Sequence, residues 1–168
     1  PLVETLSRSP YLLGEAPYET YDPQPIYCLG KSDCLVFAEH MYAMALSRNW
    51  GEFMQVLQRI RYRDGRLGVA TRNHYTEADW NISNRWLVTE ITAEIAGPTA
   101  VKFHERIDRS KFLLGRYKLK TSIPLEEHHD AYLPYAEIGR AAALLRHGDF
   151  VNVVRGVVQP GAHVNDTS

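Results

Sequence analysis

The stretch that decides the fold is Asp33-Cys34-Leu35-Val36-Phe37-Ala38-Glu39, in which a helix-capping residue precedes a cysteine and an amphipathic run. Ser32 and Asp33 are good N-cap residues, so a helix should run from about Cys34 to Ser47, with Cys34 in its first turn. There the unpaired N–H groups and the positive end of the helix dipole favour a thiolate over a thiol. Cys34 is therefore a candidate nucleophile, and the alternative is a small buried apolar residue.

The helical period predicts which residues of the first two helices face the core. In the first helix the apolar positions are 34, 37, 38, 41 and 45, and His40 should lie on the surface. Asn49 can cap a second helix with Glu52 in its first turn, and residues 61–65 should end it in a turn. Its buried stripe should comprise Phe53, Val56, Leu57 and Ile60. Glu39 should be partly buried and paired with Arg61 or Arg63.

The composition is that of one ordinary globular domain spanning residues 1–168. Apolar residues make up 45% and the formal net charge is −1, with no run of Lys or Arg, so neither nucleic acid nor stable membrane insertion is indicated. Cys28 and Cys34 are too few for a disulfide scaffold. No metal site and no cofactor is predicted, and a monomer is expected. Because the chain begins at Pro1, we expect a processed product whose signal peptide has been removed.

The remaining patterns place helices first and strands last, which predicts an α+β fold. A short helix is expected near residues 80–86, and residues 87–92 alternate as a strand would, although residues 92–95 could equally be helical. Residues 118–122 could be extended. Residues 135–147 predict a third helix ended by Gly148, followed by a strand at residues 150–154. Since that strand has no partner before Ser168, we expect the polypeptide to be incomplete at its C-terminus.

Five segments in series carry a resemblance to a known family. They are LGEAPY at residues 13–18, DCLVFAE at 33–39, RYRDG at 61–65, RNHY with DW at 72–80, and LP followed by GDFV at 133–151. In this order they resemble the motifs of the N-acetylmuramoyl-L-alanine amidase-like family of bacterial cell-wall enzymes. That family is a branch of the NlpC-type, papain-like cysteine amidases. The resemblance covers most of the chain, with one extra residue between the His-Tyr and Asp-Trp pairs.

The resemblance implies a papain-like core, with the nucleophile at the N-terminus of a helix packed on an antiparallel sheet and a helical and loop insertion. It implies that Cys34 attacks an amide carbonyl, that a His protonates the leaving amine, and that water releases the acyl-enzyme. The family's His follows its Gly-Asp-x-Val segment, and the matching position here falls just after Ser168. His163 is the fallback for that role.

Further residues are assigned to the site with their alternatives. Tyr18 could donate its hydroxyl to the oxyanion, or be a surface turn residue. Arg72 could grip a carboxylate or form a surface ion pair, and His74 with Tyr75 could line the substrate cleft, or His74 could be a capped loop residue. The two members of the Asp-Trp pair, Asp79 and Trp80, could hold a sugar, although Trp80 is also a core candidate.

Other histidines are given no role in the chemistry. The adjacent pair His128 and His129 is interpreted as part of a solvated loop, since adjacent histidines rarely point at one ion in a regular element. His104 and His147 should be exposed helix or loop positions.

The sequence thus predicts a secreted enzyme, periplasmic or extracellular, that cleaves between N-acetylmuramic acid and L-alanine in peptidoglycan fragments. Two alternatives stay open. One is a stem-peptide endopeptidase or acyltransferase that uses the same cysteine. The other is a non-catalytic wall-binding domain, if the chain lacks its catalytic His.

Overall fold

The computed structural model describes residues 22, 27 and 32–153, which form α-helices, short helical turns and a two-stranded sheet. The helices are α1 (Cys34–Ala45), α2 (Trp50–Arg61), α3 (Asn81–Ser83), α4 (Thr92–Ala96), α5 (Arg109–Tyr117) and α6 (Ile138–Ala142). The strands are β1 (Val101–Ile107) and β2 (Glu126–Tyr132). A π-helical turn spans Thr76–Trp80, and 3-10 turns span Arg63–Gly65, Gly97–Thr99 and Tyr135–Glu137. The predicted α+β class is confirmed.

Both of the first two helices begin at the residues that the capping pattern predicts. The Asp33 carboxylate accepts a hydrogen bond from the Val36 amide at 2.7 Å, and α1 starts at Cys34. The Asn49 side chain accepts one from the Glu52 amide at 3.0 Å, and α2 starts at the next residue. Such caps satisfy amides that have no partner inside the helix. α1 ends at Ala45, two residues before the predicted end.

The predicted buried face of α1 is wrong. Phe37 and Met41 are 59% and 49% exposed, whereas Glu39 and His40 are 2% and 4% exposed. These two polar side chains can face the interior because hydrogen-bond partners are present there. The His40 ring nitrogen Nδ1 bonds the Val36 carbonyl at 2.6 Å, and its ring lies near those of Tyr27 and Phe53. The surface position predicted for His40 is therefore also wrong.

The core lies between α1, α2 and the segment that follows α2. Phe53, Leu57 and Ile60 of the predicted stripe are buried, while Val56 is half-buried. Ala43 of α1 and the rings of Tyr62 and Trp80 complete this cluster, together with Met54 and Leu67. Burying one such large apolar side chain contributes about 1.5–3 kcal/mol, so this cluster dominates the stability of the helical part.

A buried ion pair lies within this core. The Arg61 Nε donates to the Glu39 carboxylate at 2.8 Å, and both side chains are 3% exposed. The Trp80 indole Nε1 donates to the other Glu39 oxygen at 3.2 Å. The predicted pairing of Glu39 with Arg61 is confirmed. One carboxylate thus joins α1, α2 and the π-helical turn.

After α2 the chain reverses and returns beside the end of that helix. Asp64 and Gly65 adopt φ angles of +56° and +67° in the predicted turn, and Tyr62 then pairs with Arg72 in an isolated antiparallel bridge. The Asn73 amide donates to the Arg61 carbonyl at 3.0 Å. This return places residues 72–75 against the C-terminal end of α2.

The strand predicted at residues 87–92 is wrong, and the alternative of a helix is confirmed as α4, Thr92–Ala96. The amides of Leu87 and Val88 donate to the Asn84 carbonyl at 2.8 and 2.9 Å, which forms a turn at residues 84–87, and residues 88–91 are irregular. Tertiary packing and a local cap therefore override the alternating pattern. The short helix expected near residues 80–86 is present as α3.

The sheet consists of two antiparallel strands, as the resemblance implies in kind, but the sequence pattern does not predict their positions. Strand β1 pairs with β2 in a register that places His104 opposite His129 and Ile107 opposite Glu126. The solvated loop predicted for His128 and His129 is wrong, because both residues lie in β2. Helix α5 lies between the strands, where the sequence pattern predicts no helix. Residues 118–122, which the pattern suggests could be extended, form no strand, and Lys118 has a φ of +57°.

The predicted third helix is much shorter than residues 135–147. A 3-10 turn leads into α6, which ends at Ala142, and Gly148 has a φ of +96°. The Tyr42 hydroxyl donates to the Gly148 carbonyl at 2.8 Å and Phe150 stacks on Trp80 with ring centroids 5.2 Å apart. Residues 150–153 are not a strand, so this prediction is wrong for the residues that the structure describes.

Candidate functional site

Cys34 is the first residue of α1, with an exposed side chain and a free thiol. It directly follows the capping residue Asp33, whose carbonyl accepts from the Phe37 amide at 3.0 Å to complete the first turn. The alternative that Cys34 is a buried apolar residue is therefore excluded. An exposed thiol at a helix N-terminus is one of the arrangements found for nucleophilic cysteines.

Two of the predicted catalytic partners, Tyr18 and His163, lie outside the described residues. Within the described residues, two histidines, one buried and one half-buried, bond to backbone carbonyls. His40 bonds Val36 and His74 bonds Val69. The acid–base partner of Cys34 therefore stays a prediction.

Arg72 belongs to a buried polar cluster with Asp22 and Tyr62. Its guanidinium donates to the Asp22 carboxylate at 2.9 Å, and the Tyr62 hydroxyl donates to the same oxygen at 2.8 Å. Burial and the Asp22 charge raise the pKa of Tyr62, so it stays a hydroxyl donor. Burial, the largest single effect, would lower the pKa of Arg72, but the charge and hydrogen bond of Asp22 together with Tyr62 and Tyr117 outweigh burial, and the pKa is raised. Arg72 is thus a permanent cation with a fixed position.

His74 lies in an aromatic group supplied partly by α5. Its ring centroid is 5.0 Å from that of Phe112 and 5.3 Å from that of Tyr117, and Phe112 is also 5.5 Å from Tyr75. The Nε2 atom lies 2.7 Å from the Val69 carbonyl, which assigns the proton to Nε2. Burial lowers the pKa of His74, and nearby Arg72 lowers it further. His74 is therefore a neutral imidazole at pH 7.

Asp79 organises the backbone of the loop that carries His74 and Tyr75. One carboxylate oxygen accepts both of their amide N–H groups at 3.1 Å. The other accepts from the Nε and a terminal nitrogen of Arg109 at 3.0 and 2.7 Å. Arg109 also donates to the Glu126 carboxylate, which ties this loop to β2. The structure therefore shows both Asp79 oxygens engaged within the protein.

Trp80 is fully buried. Its side chain has no exposed surface, and its indole N–H donates to Glu39. Trp80 is therefore a core residue, which is the alternative that the sequence analysis gives for it. The sugar-holding role predicted for Asp79 and Trp80 stays a prediction, and in this structure their contacts are with neighbouring protein groups.

The sequence reading missed Asp22, Arg109, Phe112 and Tyr117. A signal for α5 was present, since Asp108 caps that helix by accepting from the Lys111 amide at 2.8 Å. No periodic pattern could reveal the ion pair between Arg109 and Asp79, because it joins residues 30 positions apart.

Replacing Arg109 by alanine should loosen the loop at residues 74–75. The change removes the charged hydrogen bonds that hold Asp79, so we expect a loss of about 1–3 kcal/mol in the free energy of unfolding. We also expect faster hydrogen exchange at the amides of His74 and Tyr75. The measurements are urea denaturation and amide exchange by NMR. Lys111→Ala, an exposed change on the same helix, should shift stability by no more than about 0.5 kcal/mol. Unchanged exchange at residues 74 and 75 would contradict the assigned role.

The described residues contain no group of three or more His, Cys, Asp or Glu side chains arranged to hold a metal ion. Among the helices in these same ranges, none is sufficiently long and apolar to cross a bilayer.

Comparison with solved structures identifies two similar chains. Protein LPG0564 from Legionella pneumophila, described under the family DUF1460, has a TM-score of 0.63 at 22% identity, over 76% of this chain and 52% of that one. A protein from Bacteroides fragilis described as a candidate xylanase has a TM-score of 0.48 at 31% identity, over 66% of this chain and 51% of that one. The similarity to protein LPG0564 shows a shared fold. The chain spans about half the length of each structure.

Comparison with curated proteins finds no match. The model of the N-acetylmuramoyl-L-alanine amidase-like (AmiA-like) family matches residues 5–164, which is nearly the whole chain and includes Cys34, the Arg72–Asp79 loop and His163. The chain therefore belongs to the N-acetylmuramoyl-L-alanine amidase-like family.

Proposed function

We propose that this protein is a cysteine-dependent amidase that cleaves the bond between N-acetylmuramic acid and L-alanine in peptidoglycan fragments. The observation that carries the proposal is the exposed thiol of Cys34 at the first position of a capped helix, in a chain that matches an amidase-like family over residues 5–164. The family match indicates the cell-wall amide as substrate, and the position of Cys34 suggests the nucleophile.

The reaction would proceed through a thioester. The Cys34 sulfur attacks the lactyl carbonyl of N-acetylmuramic acid, and the first turn of α1 lies where backbone N–H groups can stabilise the resulting oxyanion. Collapse of the tetrahedral intermediate breaks the C–N bond, and a His protonates the leaving amine of L-alanine. Water then attacks the thioester and releases the lactyl carboxylate and the thiolate. His163 is the candidate for the acid–base role if no later His takes it.

The cluster around Arg72 and His74 would form part of the substrate cleft. Arg72 supplies a permanent positive charge that Asp22 holds in place, which suits a carboxylate of the substrate. The neutral His74 has its unprotonated Nδ1 as an acceptor, and the rings of Tyr75, Phe112 and Tyr117 provide apolar surface. Asp79 would act by positioning the loop, and Trp80 by supporting it from the core.

The proposed branch is the NlpC-type, papain-like one, and the proposed location is the periplasm or the extracellular space, where the cell wall is found. Tyr18 would be a second donor to the oxyanion. A structure of this protein with a muropeptide bound would test these placements together.

A product assay on defined muropeptides tests the bond that is cleaved. The complete polypeptide should convert N-acetylmuramoyl peptides into N-acetylmuramic acid and a peptide whose L-alanine amine is free, as measured by liquid chromatography and mass spectrometry. In isotope-labelled water, the label should enter the lactyl carboxylate of the sugar. Cleavage between two stem-peptide residues would instead favour an endopeptidase, and absence of turnover by the complete polypeptide would favour a wall-binding domain.

A further inference from the structure

An open groove lies on the outer side of α2, beside the turn that follows this helix. It has a volume of about 580 Å³ and combines residues of α2, of the turn after α2 and of the segment that includes α3. We call it the Trp86 groove; its lining comprises Gln55, Gln58, Arg59, Asp64, Gly65, Ser83 and Trp86. Gln55 and Arg59 are exposed, whereas Phe53 and Leu57 of the same helix are buried in the core. The groove therefore faces away from the side of α2 that packs in the core.

The groove presents an aromatic ring beside polar groups that have no other partner. The Arg59 guanidinium carbon lies 3.9 Å from the centroid of the Trp86 ring, and Trp86 is still 41% exposed. Within the part of the chain that the structure describes, the side chains of Gln55, Arg59 and Asp64 form no hydrogen bond or ion pair with another residue. Their donors and acceptors are therefore available to a ligand.

The turn that carries Asp64 is held in a conformation that few residues adopt. Asp64 has a φ of +56°, and the following Gly65 has a φ of +67°. The Gly65 amide donates to the Tyr62 carbonyl at 2.9 Å, and the Gln58 side chain donates to the Gly65 carbonyl at 2.6 Å. These bonds fix the backbone of the turn that brings Asp64 to the groove.

The groups in the groove favour an uncharged polar ligand. One Arg and one Asp balance each other, so a phosphate or nucleotide would gain one cation but meet one carboxylate of like charge. Two side-chain amides, a carboxylate and a guanidinium can bond to hydroxyl and acetamido groups. The indole can contact the apolar C–H surface of a sugar ring. The volume is within the range of small-ligand sites.

We infer that the Trp86 groove, whose lining does not include Cys34, is an accessory saccharide-binding site that takes N-acetylated sugars of the glycan. The choice of N-acetylated sugars rests on the proposed amidase function, since such sugars accompany its substrate. The site would retain the enzyme on glycan that has no peptide attached.

Titration with the trimer of N-acetylglucosamine tests this inference by NMR. This probe contains no bond to a peptide, so its binding is independent of the amidase reaction. The complete chain should bind it with saturation and with a shift of the Trp86 indole resonance. Trp86→Ala and Arg59→Ala should each weaken binding about tenfold or more, which corresponds to about 1.4 kcal/mol. Trp86→Phe keeps an aromatic ring, so it separates the loss of the ring from a loss of folding. It should weaken binding less than Trp86→Ala does.

Trp50→Ala is the matched control. Trp50 lies on the same helix and is 46% exposed, but it packs near Tyr27 and Phe53 outside the groove, so the affinity for the trimer should be unchanged. Absence of saturable binding at millimolar trimer, or binding that Trp86→Ala and Arg59→Ala leave intact, would overturn the inference. Failure of the amidase proposal would appear separately, as lack of muropeptide hydrolysis.

Discussion

Replacing Cys34 by alanine should abolish the release of L-alanyl peptides from muropeptides, with a rate loss of at least about a thousandfold. The change removes the only atom at the start of α1 that can form the proposed thioester. Folding should be unaffected, because the Cys34 side chain is exposed and the cap at Asp33 uses the carboxylate of the preceding residue. The measurement is the turnover of a defined muropeptide by the complete polypeptide, with circular dichroism to monitor folding.

Cys28→Ala is the control for this experiment, since Cys28 is the other cysteine of the chain. It should retain the activity and the thioester intermediate that a rapid quench detects. Retention of full activity by Cys34→Ala would exclude the nucleophile assignment. Loss of activity in Cys28→Ala alone would move the proposed nucleophile to that residue.

Replacing Glu39 by alanine should destabilise the fold by about 3–5 kcal/mol, the usual effect of removing one member of a buried ion pair. The change removes the carboxylate that accepts from both Arg61 and Trp80, and the Arg61 side chain is 3% exposed. Since domains of this size are stable by only about 5–15 kcal/mol, this variant should be near its unfolding threshold. Urea denaturation monitored by tryptophan fluorescence measures the change.

The exposed pair between Arg106 and Glu127 provides the matched comparison. Its members are 58% and 49% exposed at a separation of 3.0 Å, so Glu127→Ala should change stability by no more than about 1 kcal/mol. A double variant, Glu39→Leu with Arg61→Met, should recover much of the loss, because it removes the buried charges together. A loss below about 1 kcal/mol in Glu39→Ala would contradict the structural role of this carboxylate.

The sequence predicts the helical part of the fold because local chemistry decides it. Asp33 and Asn49 fix the starts of α1 and α2, and the stripe of Phe53, Leu57 and Ile60 matches the buried face of α2. The face of α1 could not be predicted from apolarity, since Glu39 and His40 are buried through partners elsewhere in the fold.

The positions of the two strands could not be predicted for a different reason. Strand β2 reads as a charged segment. In β1 the inward positions Val101, Phe103 and Ile107 are apolar and alternate with exposed polar residues, but Glu105 interrupts this apolar face. Conversely, residues 87–92 alternate but form no strand, because the amides of Leu87 and Val88 are bonded to the Asn84 carbonyl and Thr92 begins α4. Within the site, the helix cap places Cys34, whereas the bonds of Asp79 to Arg109 depend on tertiary structure alone.

The two backbone amides held by Asp79 have a consequence for recognition. Because this carboxylate fixes the peptide groups of His74 and Tyr75, the loop has lost most of its conformational entropy before any ligand arrives. A ligand that contacts these residues then meets a pre-organised surface, and less of its interaction energy is consumed in ordering the protein. Affinity at this loop should accordingly depend on Arg109, a residue that the ligand need never touch.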